Sequence, residues 1–239
     1  MNKLYFIQMK VIALMIFALT FLSCKNRKEI FADQNFTNAL FDEGVDENNN
    51  GTFEIEEYLK VTKLRLTNRR ISSISGIENF KNLEELSINE NFIQNFTALD
   101  SLHKLHTLAI TLNPTKNKID FSKIDNLEVL YAVRLNLNEI KLNDKIKSLS
   151  IGDNNFVDFD ASKYINLETL SLDGCKQLKK VDISNNSKLT QLYLYQTAIS
   201  ELDISNNNLL KIMYVEPNVR LIKNSVQKNR LPSQKITQE

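Results

Sequence analysis

The chain has 239 residues, of which 42% are hydrophobic and 25% are charged, and its formal net charge is +1. This balance is ordinary for a folded domain, and so small a net charge gives no electrostatic reason to expect a nucleic-acid partner. Five glycines and three prolines argue against a linker-rich chain, and two cysteines do not predict a disulfide framework.

Residues 1–23 are predicted to form a secretory signal peptide. Lys3 and Lys10 give it a basic start, residues 11–22 form an apolar run, and the small residue Ser23 follows. Such a run matches the hydrophobic region of a signal peptide and is too short to span a bilayer comfortably. We therefore expect the protein to be exported.

The segment Phe21-Leu22-Ser23-Cys24 resembles a bacterial lipobox, although Phe21 departs from the usual leucine. In such signals, cleavage precedes the cysteine, which then carries lipid on its sulfur and its new N-terminus. The resemblance implies that Cys24 is lipidated, that residues 24–32 form a tether, and that the protein is anchored to a membrane of the bacterial cell envelope, on the periplasmic side or at the cell surface. Several acyl chains, at ~0.8 kcal/mol per buried CH₂, would make this anchor essentially permanent. The alternative is a soluble secreted protein in which Cys24 has no role.

A calcium loop is predicted between the tether and the repeats. Residues 46–57 fit the pattern D-x-[DN]-x-[DN]-G-x₅-E at every specified position. In this pattern, side-chain oxygens bind at positions 1, 3 and 5, a backbone carbonyl binds at position 7, and a glutamate binds bidentately at position 12. The predicted metal ligands are therefore Asp46, Asn48, Asn50, Thr52 and Glu57.

Two helices are predicted to flank this loop, because apolar residues recur at helical spacing on both sides. These residues are Phe36, Ala39 and Leu40 before the loop, and Ile55, Tyr58 and Leu59 after it. Residues 33–60 would then form a small helical, EF-hand-like cap. A single loop with two asparagines predicts modest affinity, on the order of 10⁻⁴–10⁻³ M, and a structural ion. The alternative is an asparagine-rich turn before an acidic helix start.

A short hydrophobic line then recurs roughly every 22 residues. Its copies are residues 61–66, 83–88, 105–110, 127–132, 146–151, 167–172, 189–194 and 210–215. Within each line the later apolar residues alternate with other residues, as in a strand with one buried face. Because such a unit cannot bury its apolar face alone, the pattern predicts a stack of eight similar units.

A small polar residue follows most lines at a constant offset, namely Asn91, Asn113, Asn154, Cys175, Thr197 and Asn218. With it, the line resembles the leucine-rich repeat L-x-x-L-x-L-x-x-N/C-x-L, in which this side chain turns inward and bonds the backbone between turns. The resemblance covers residues 61–221 and is similar to the internalin-like repeats of bacterial envelope lipoproteins. It implies an α/β fold: a right-handed solenoid with a parallel concave sheet. Arg69 and Leu135 depart from the pattern and the fourth unit is short, so we expect irregularity at residues 135–144.

Both ends of such a solenoid need caps, because terminal units would otherwise expose apolar surface. The helical segment 33–60 ends directly against the first unit, and residues 218–222 are expected to close the other end. The predicted organisation is a signal peptide (1–23), a lipidated tether (24–32), a helical cap (33–60), a leucine-rich repeat domain (61–222) and a polar tail (223–239).

The candidate binding residues are tyrosines on the predicted concave sheet. Residues that flank the buried leucines should point outward, because side chains alternate along a strand. In the first three units these residues are small or polar. Later units place Tyr131, Tyr193, Tyr195 and Tyr214 there, around a low polar floor, and tyrosine is enriched at binding hot spots. The alternative is that aromatic residues simply suit strands.

No sequence motif suggests catalysis. The chain lacks the nucleophile-elbow, Walker, H-E-x-x-H and dinucleotide-binding patterns, and His103 and His106 have no partners at ligand spacing. We therefore predict a membrane-anchored, non-enzymatic binding module that recognises a protein or peptide in the bacterial envelope. The alternative is a structural or adhesion component of the envelope, with a glycan as a further candidate ligand.

Overall fold

A computed structural model describes residues 31–230 of the protein. The predicted signal peptide, Cys24, most of the predicted tether and residues 231–239 lie outside this described part. Between residues 31 and 230, no helix has both the length and the apolar character needed to cross a membrane.

The helices are α1 (Gln34–Asp42), α2 (Ile55–Lys60) and α3 (Ser225–Arg230), and short 3-10 helices cover Ile77–Asn79 and Thr97–Ser101. The strands are β1 (Lys63–Arg65), β2 (Glu85–Ser87), β3 (Thr107–Ala109), β4 (Lys118–Phe121), β5 (Val129–Tyr131), β6 (Glu139–Leu142), β7 (Ser148–Ser150), β8 (Asp158–Asp160), β9 (Thr169–Ser171), β10 (Lys180–Asp182), β11 (Gln191–Tyr193), β12 (Glu201–Asp203), β13 (Ile212–Tyr214) and β14 (Arg220–Ile222).

Eight strands form one parallel sheet, which we call the main sheet, in the order β1-β2-β3-β5-β7-β9-β11-β13. Each repeat line supplies one of these strands, and the register is constant: Leu64 lies beside Leu86, which lies beside Leu108. This confirms the predicted parallel solenoid with eight repeats. The other six strands lie in the return segments and pair in parallel as β4 with β6, β8 with β10, and β12 with β14.

Burial of a leucine column explains why the units stack. The central residue of each main-sheet strand from β1 to β11 is a leucine with at most 2% of its surface exposed, namely Leu64, Leu86, Leu108, Leu130, Leu149, Leu170 and Leu192. Fully burying one leucine side chain contributes roughly 1.5–3 kcal/mol. A single turn would leave much of this surface in water, so the stability of each turn depends on its neighbours.

The predicted inward polar side chains form a ladder that ties consecutive turns together. Asn154 is the clearest case: its Oδ1 accepts hydrogen bonds of 3.0 Å from the backbone N–H groups of Leu135 and Leu137. Its Nδ2 donates to the carbonyl oxygens of Ala132 and Ile151, each at 2.9 Å. Asn91 and Asn113 are buried in the same way, so these amides satisfy backbone groups that the coil leaves unpaired.

Cys175 occupies the ladder position of its turn as a buried thiol. Its Sγ lies 3.5 Å from the carbonyl oxygen of Ile151 in the preceding turn. Thr197 is only partly buried and donates within its own turn to Leu194. Asn218 was wrongly assigned to the ladder. The Val219 N–H donates to the Glu216 carbonyl in a tight turn, which places Val219 inside and leaves Asn218 exposed.

A second set of inward asparagines was missed from the sequence. Asn186 donates to the carbonyl oxygens of Ala161 and Tyr164, at 3.0 and 2.7 Å. Asn207 donates to Ile183 and to the Asn186 carbonyl, at 3.0 and 2.9 Å. The repeated segment D-I-S-x-N, present at residues 182–186 and 203–207, was the available signal.

The expected irregularity at residues 135–144 is wrong. Leu135 is fully buried, and its N–H group is held by Asn154 of the next turn. The return strand β6 pairs with β4 in continuous register from Glu139 to Leu142. Although the unit is short, the ladder asparagine of the following turn supplies the bonds that fix its backbone.

The N-terminal segment packs on the first turn through aromatic rings. Phe31 contacts Phe36 and Phe53, with ring centroids 5.1 and 6.0 Å apart, and Tyr58 meets Phe80 edge-on at 4.9 Å. Phe31 is buried, so the last two residues of the predicted tether already include a core residue. Ile55 and Leu59, expected on the buried face of α2, are exposed instead, because this short helix contacts the solenoid chiefly through Tyr58.

Asp33 joins this segment to the first return loop. One of its carboxylate oxygens caps α1 by accepting from the Phe36 N–H at 3.0 Å. The other accepts from the N–H and hydroxyl of Ser72 and from the Ser73 N–H, at 2.7, 2.6 and 2.9 Å. Burial raises the pKa of Asp33, but the bonds from Ser72, Phe36 and Ser73 outweigh it and hold this pKa below its ordinary value.

The C-terminal end closes later than residue 222. Helix α3 begins at Ser225, inside the segment predicted as a polar tail. Gln227 is 3% exposed and donates to the Ile204 carbonyl of the last complete turn. Its oxygen accepts from the Asn224 N–H at 3.1 Å. The side chain of Gln227 therefore supplies at this end the kind of backbone bond that the asparagines supply within the coil.

We expect Asn154→Ala to lower the free energy of unfolding by at least about 3 kcal/mol, because it leaves several buried backbone groups without partners. Urea denaturation at fixed temperature measures this change. Asn218→Ala is the matched control and should change the free energy of unfolding by no more than about 0.5 kcal/mol. Equal losses in the two variants would contradict the ladder assignment.

Candidate functional site

The outer face of the main sheet consists of the residues that flank the buried leucine column. The constant register lines them up across the strands in two columns. The first column is Lys63, Glu85, Thr107, Val129, Ser148, Thr169, Gln191 and Ile212. The second is Arg65, Ser87, Ala109, Tyr131, Ser150, Ser171, Tyr193 and Tyr214. All of these side chains are partly or fully exposed, as their alternation with the leucines predicts.

A third column follows directly after the strands, where each turn leaves the main sheet. The residue at the corner has a positive φ in seven consecutive turns: Asn68, Glu90, Leu112, Arg134, Asp153, Gly174 and Gln196. Only one of these is glycine, so the repeated backbone geometry imposes a left-handed conformation on ordinary residues at a cost of order 1–3 kcal/mol each. At Gly174 a side chain is also excluded, because a Cβ would lie 2.1 Å from Asp153 Oδ1.

The structure brings three of the four predicted binding tyrosines together. The rings of Tyr193 and Tyr214 stack with centroids 5.3 Å apart and planes 9° apart. Tyr195 lies two residues beyond Tyr193 on the same turn and is 48% exposed. We call Tyr193, Tyr195 and Tyr214 the tyrosine cluster. The Tyr193 hydroxyl donates to Gln191 Oε1 at 2.9 Å, which fixes the direction of this ring.

Tyr131 stands apart from the tyrosine cluster. Strands β7 and β9 lie between β5, which carries Tyr131, and β11. In the second column those two strands present only Ser150 and Ser171, so a low hydroxyl-bearing floor separates Tyr131 from Tyr193. Tyr131 is 45% exposed. The sequence analysis had grouped all four tyrosines, but the strand order divides them into a cluster and a single ridge.

The floor is low partly because Gly152 lies in it. A Cβ at this position would come within 2.6 Å of the Asp173 carbonyl oxygen of the next turn. The side chain of Asp173 accepts from the Tyr195 N–H at 2.6 Å, which fixes the backbone that carries Tyr195. Burial raises the pKa of Asp173 above its ordinary value, against the opposing effect of this hydrogen bond.

The N-terminal end of the outer face is charged, in contrast to the tyrosine cluster. Lys63 Nζ lies 2.7 Å from Glu85 Oε1. The hydrogen bond from Lys63 lowers the pKa of the Glu85 carboxyl, and the charges of Lys63, His106 and Arg65 act in the same direction. A shallow depression of about 90 Å³ lies beside this pair and reaches Tyr131. The sequence analysis described the first three units only as small or polar and did not anticipate this depression.

The predicted calcium loop is closed by its own hydrogen bonds. Asp46 and Glu57 are buried carboxylates. The oxygens of Asp46 accept from the N–H groups of Asn50 and Gly51, at 3.1 and 2.9 Å. Those of Glu57 accept from the N–H groups of Glu47 and Glu54, at 2.9 and 3.1 Å. The two carboxylates predicted at loop positions 1 and 12 therefore hold the backbone of the loop.

The other predicted ligands converge on Glu54. The amide groups of Asn48 and Asn50 donate to its carboxylate at 3.1 and 2.7 Å, and the Thr52 hydroxyl donates at 2.7 Å. Bonds with Asn50, Thr52 and Glu57 lower the pKa of Glu54 to about 2. Among residues 31–230, no three His, Cys, Asp or Glu side chains are grouped so that they could hold a metal. The calcium site stays a prediction that uses two carboxylates together with amide and carbonyl oxygens, a donor set that suits calcium.

Side chains with catalytic potential have structural partners. Burial raises the pKa of the Cys175 thiol to about 11, so this residue is protonated and unreactive at neutral pH. His103 Nδ1 lies 3.1 Å from Asp125 Oδ2 at the surface, and His106 Nδ1 lies 3.0 Å from the Thr107 hydroxyl. Neither histidine faces a nucleophile.

Comparison with known families supports the repeat assignment. Residues 60–101 match the family described as leucine-rich repeats (2 copies). No curated protein matches the chain.

Three solved structures from Listeria monocytogenes resemble the chain. The functional domain of InlJ, which includes a cysteine ladder, is 26% identical with a TM-score of 0.59, and the match covers 74% of this chain and 41% of that one. Internalin C2 is 19% identical with a TM-score of 0.63, over 84% of this chain and 90% of that one. InlF is 21% identical with a TM-score of 0.52, over 85% and 74%. The last two likenesses establish the fold alone, which is an internalin-like leucine-rich repeat solenoid.

Proposed function

We propose that the protein is a non-enzymatic binding module that recognises a protein or peptide through the outer face of its main sheet. The observation that carries this proposal is the tyrosine cluster. Tyr193, Tyr195 and Tyr214 lie on a face that the hydrophobic core does not use, since the leucine column beneath is already buried. Rigid aromatic side chains with a terminal hydroxyl provide large contact area at low entropic cost, which is why they dominate many binding surfaces.

The arrangement of the cluster supports recognition more than strand propensity alone. Strand preference accounts for an aromatic residue at a given position. It does not account for the stacked pair at 5.3 Å beside an exposed Tyr195 and a 39%-exposed Ile212. Together these side chains form an apolar patch with hydroxyls at its rim, and exposed apolar patches on soluble domains commonly mark interaction sites.

A glycan is the second candidate ligand. The floor of Ser150 and Ser171 between Tyr131 and Tyr193 supports it, since hydroxyl groups can bond a sugar whose face stacks on a ring. In the alternative role, as a structural or adhesion component of the envelope, the same face would contact neighbouring envelope molecules.

We further propose that the module is tethered to a membrane of the bacterial envelope through lipid on Cys24. This part rests on the lipobox-like segment 21–24 and the preceding signal peptide. The described fold begins with the buried Phe31, so only a few residues would separate the lipid from the folded domain.

Calcium at residues 46–57 is proposed as a structural ion for the N-terminal segment. Asp46, Asn48, Asn50 and Glu57 would supply side-chain oxygens, and Thr52 its carbonyl. Bound calcium would offset the charge of the two buried carboxylates. The loop joins α1 to α2, whose Tyr58 packs on Phe80 of the first repeat, so order in the loop would stabilise the entrance to the solenoid.

The double variant Tyr193→Ala/Tyr195→Ala should lower partner capture from an envelope extract at least about tenfold, as expected when hot-spot side chains are truncated. Capture is quantified by mass spectrometry with the full chain as bait. The free energy of unfolding should fall by less than about 1.5 kcal/mol, since only the ring pair is lost. The matched control is Val157→Ala/Ile165→Ala, which removes exposed apolar side chains away from the main sheet. Full capture by the tyrosine variant would place the site elsewhere.

If Cys24 carries lipid, the protein expressed in a bacterial host should incorporate a fatty-acid probe and sediment with membranes. Cys24→Ala should abolish incorporation, because no acceptor sulfur remains at the cleavage site. Cys175→Ala controls for loss of a cysteine as such and should still be labelled. Labelling that persists in Cys24→Ala would rule out this anchor.

Calcium that binds only the folded state should stabilise it by RT ln(1 + [L]/Kd), about 1.4 kcal/mol at ten times Kd. The melting temperature should therefore be higher in millimolar calcium than in chelator. Glu57→Gln should remove this increment, because it removes one of the two ligand charges. Glu56→Gln makes the same charge change at an exposed neighbour and should keep the increment. One melting temperature in both buffers would show that the loop binds no calcium.

A further inference from the structure

The outer face holds a pocket at its N-terminal end that is distinct from the tyrosine cluster. In the second column, Ser87 and Ala109 lie between the long side chains of Arg65 and Tyr131. The result is the depression of about 90 Å³, to which Lys63 and Glu85 also contribute. We call it the Arg65 pocket, and it has room for one short side chain.

Arg65 supplies the unmatched charge of this pocket. Its neighbour Lys63 is neutralised by Glu85 at 2.7 Å. The guanidinium of Arg65 makes no ion pair within the described residues 31–230, although the residue is exposed and its backbone N–H contacts Glu43 at 3.3 Å. A guanidinium offers parallel N–H donors whose geometry matches a carboxylate, and such charge-assisted bonds are stronger than neutral ones.

The remaining walls suit the stem of an acidic side chain. The Ala109 methyl group and the Tyr131 ring provide apolar contact for methylene groups. On the floor, the Ser87 hydroxyl is already engaged with Thr67 Oγ1 at 3.0 Å and with Asn89 Nδ2 at 3.2 Å, which holds it in place. Glu85 on the rim disfavours an anion with more than one charge, so a single carboxylate fits better than a phosphate group.

We propose that the Arg65 pocket binds an aspartate or glutamate side chain of an extended peptide segment whose apolar residues lie on the tyrosine cluster. This proposal rests on the proposed function, since it assigns a second contact point to the same partner. About five strand spacings separate the pocket from the cluster, or about 24 Å, which roughly seven residues of extended peptide span. The partner is therefore an acidic peptide segment that runs across the strands.

The test is selection of random linear dodecapeptides displayed on phage against the immobilised full chain. Selected sequences should share one acidic residue at a fixed distance from an aromatic or aliphatic residue. A synthetic selected peptide with Asn in place of Asp, or Gln in place of Glu, should bind about tenfold more weakly or worse by isothermal titration calorimetry. Its affinity should also depend less on salt than that of the parent peptide.

Variants of the protein locate the contact. Arg65→Gln should weaken the parent peptide by about the same factor as the loss of its carboxylate, and the two changes together should cost little more than either alone. Ala109→Phe fills the pocket and should have a similar effect, with thermal melting as the check on folding. Lys141→Gln removes one positive charge outside the main sheet and should leave binding unchanged.

Two results overturn this proposal. Peptides without a shared acidic residue, bound equally well by Arg65→Gln but lost in Tyr193→Ala/Tyr195→Ala, would leave the proposed function intact and remove the Arg65 pocket from it. Selected peptides whose affinity survives all of these variants would exclude the outer face as a whole.

Discussion

Hydrogen bonds from inward side-chain amides to the backbone of adjacent turns are the interaction on which the rest of the structure depends. Each turn buries a leucine and, with it, backbone groups that a strand of three residues cannot pair by itself. Asn154 illustrates the solution, since its amide accepts from two N–H groups and donates to carbonyl groups of both its own turn and the preceding one. Without such amides the leucine column could be buried only at the cost of unsatisfied backbone.

The two asparagine sets share this task along the coil. Asn91, Asn113 and Asn154 act where the chain leaves the main sheet, and Asn186 and Asn207 act in the return segments of the later turns. Because backbone satisfaction is provided from inside, the outward side chains of the main sheet carry no structural duty. Residues as different as Arg65, Ser150 and Tyr214 can therefore occupy one column without altering the register. This freedom allows a charged pocket and an aromatic cluster to lie on one sheet.

The ends of the coil use the same chemistry with different residues. Asp33 accepts from the first return loop and also caps α1, so the helical segment and the first turn are fixed by one buried carboxylate. At the other end, Gln227 donates to Ile204 from a helix that follows the last strand. In the loop at residues 46–57, Asp46 and Glu57 are likewise engaged with backbone N–H groups. A cation at this loop would add to bonds that already exist there.

The sequence by itself determined the repeat, its parallel sheet, the leucine column and most of the first ladder, because each of these depends on local spacing repeated in every turn. It also identified the outward residues, including the tyrosines, since alternation along a strand is a local property. Tertiary structure decided what spacing alone could not. The tight turn after Glu216 excludes Asn218 from the ladder, and the short helix α2 leaves Ile55 and Leu59 exposed. Strand order separates Tyr131 from Tyr193. The Arg65 pocket exists only because small residues from two neighbouring strands lie between two long ones, and which residues become neighbours across strands is set by the register of the assembled coil.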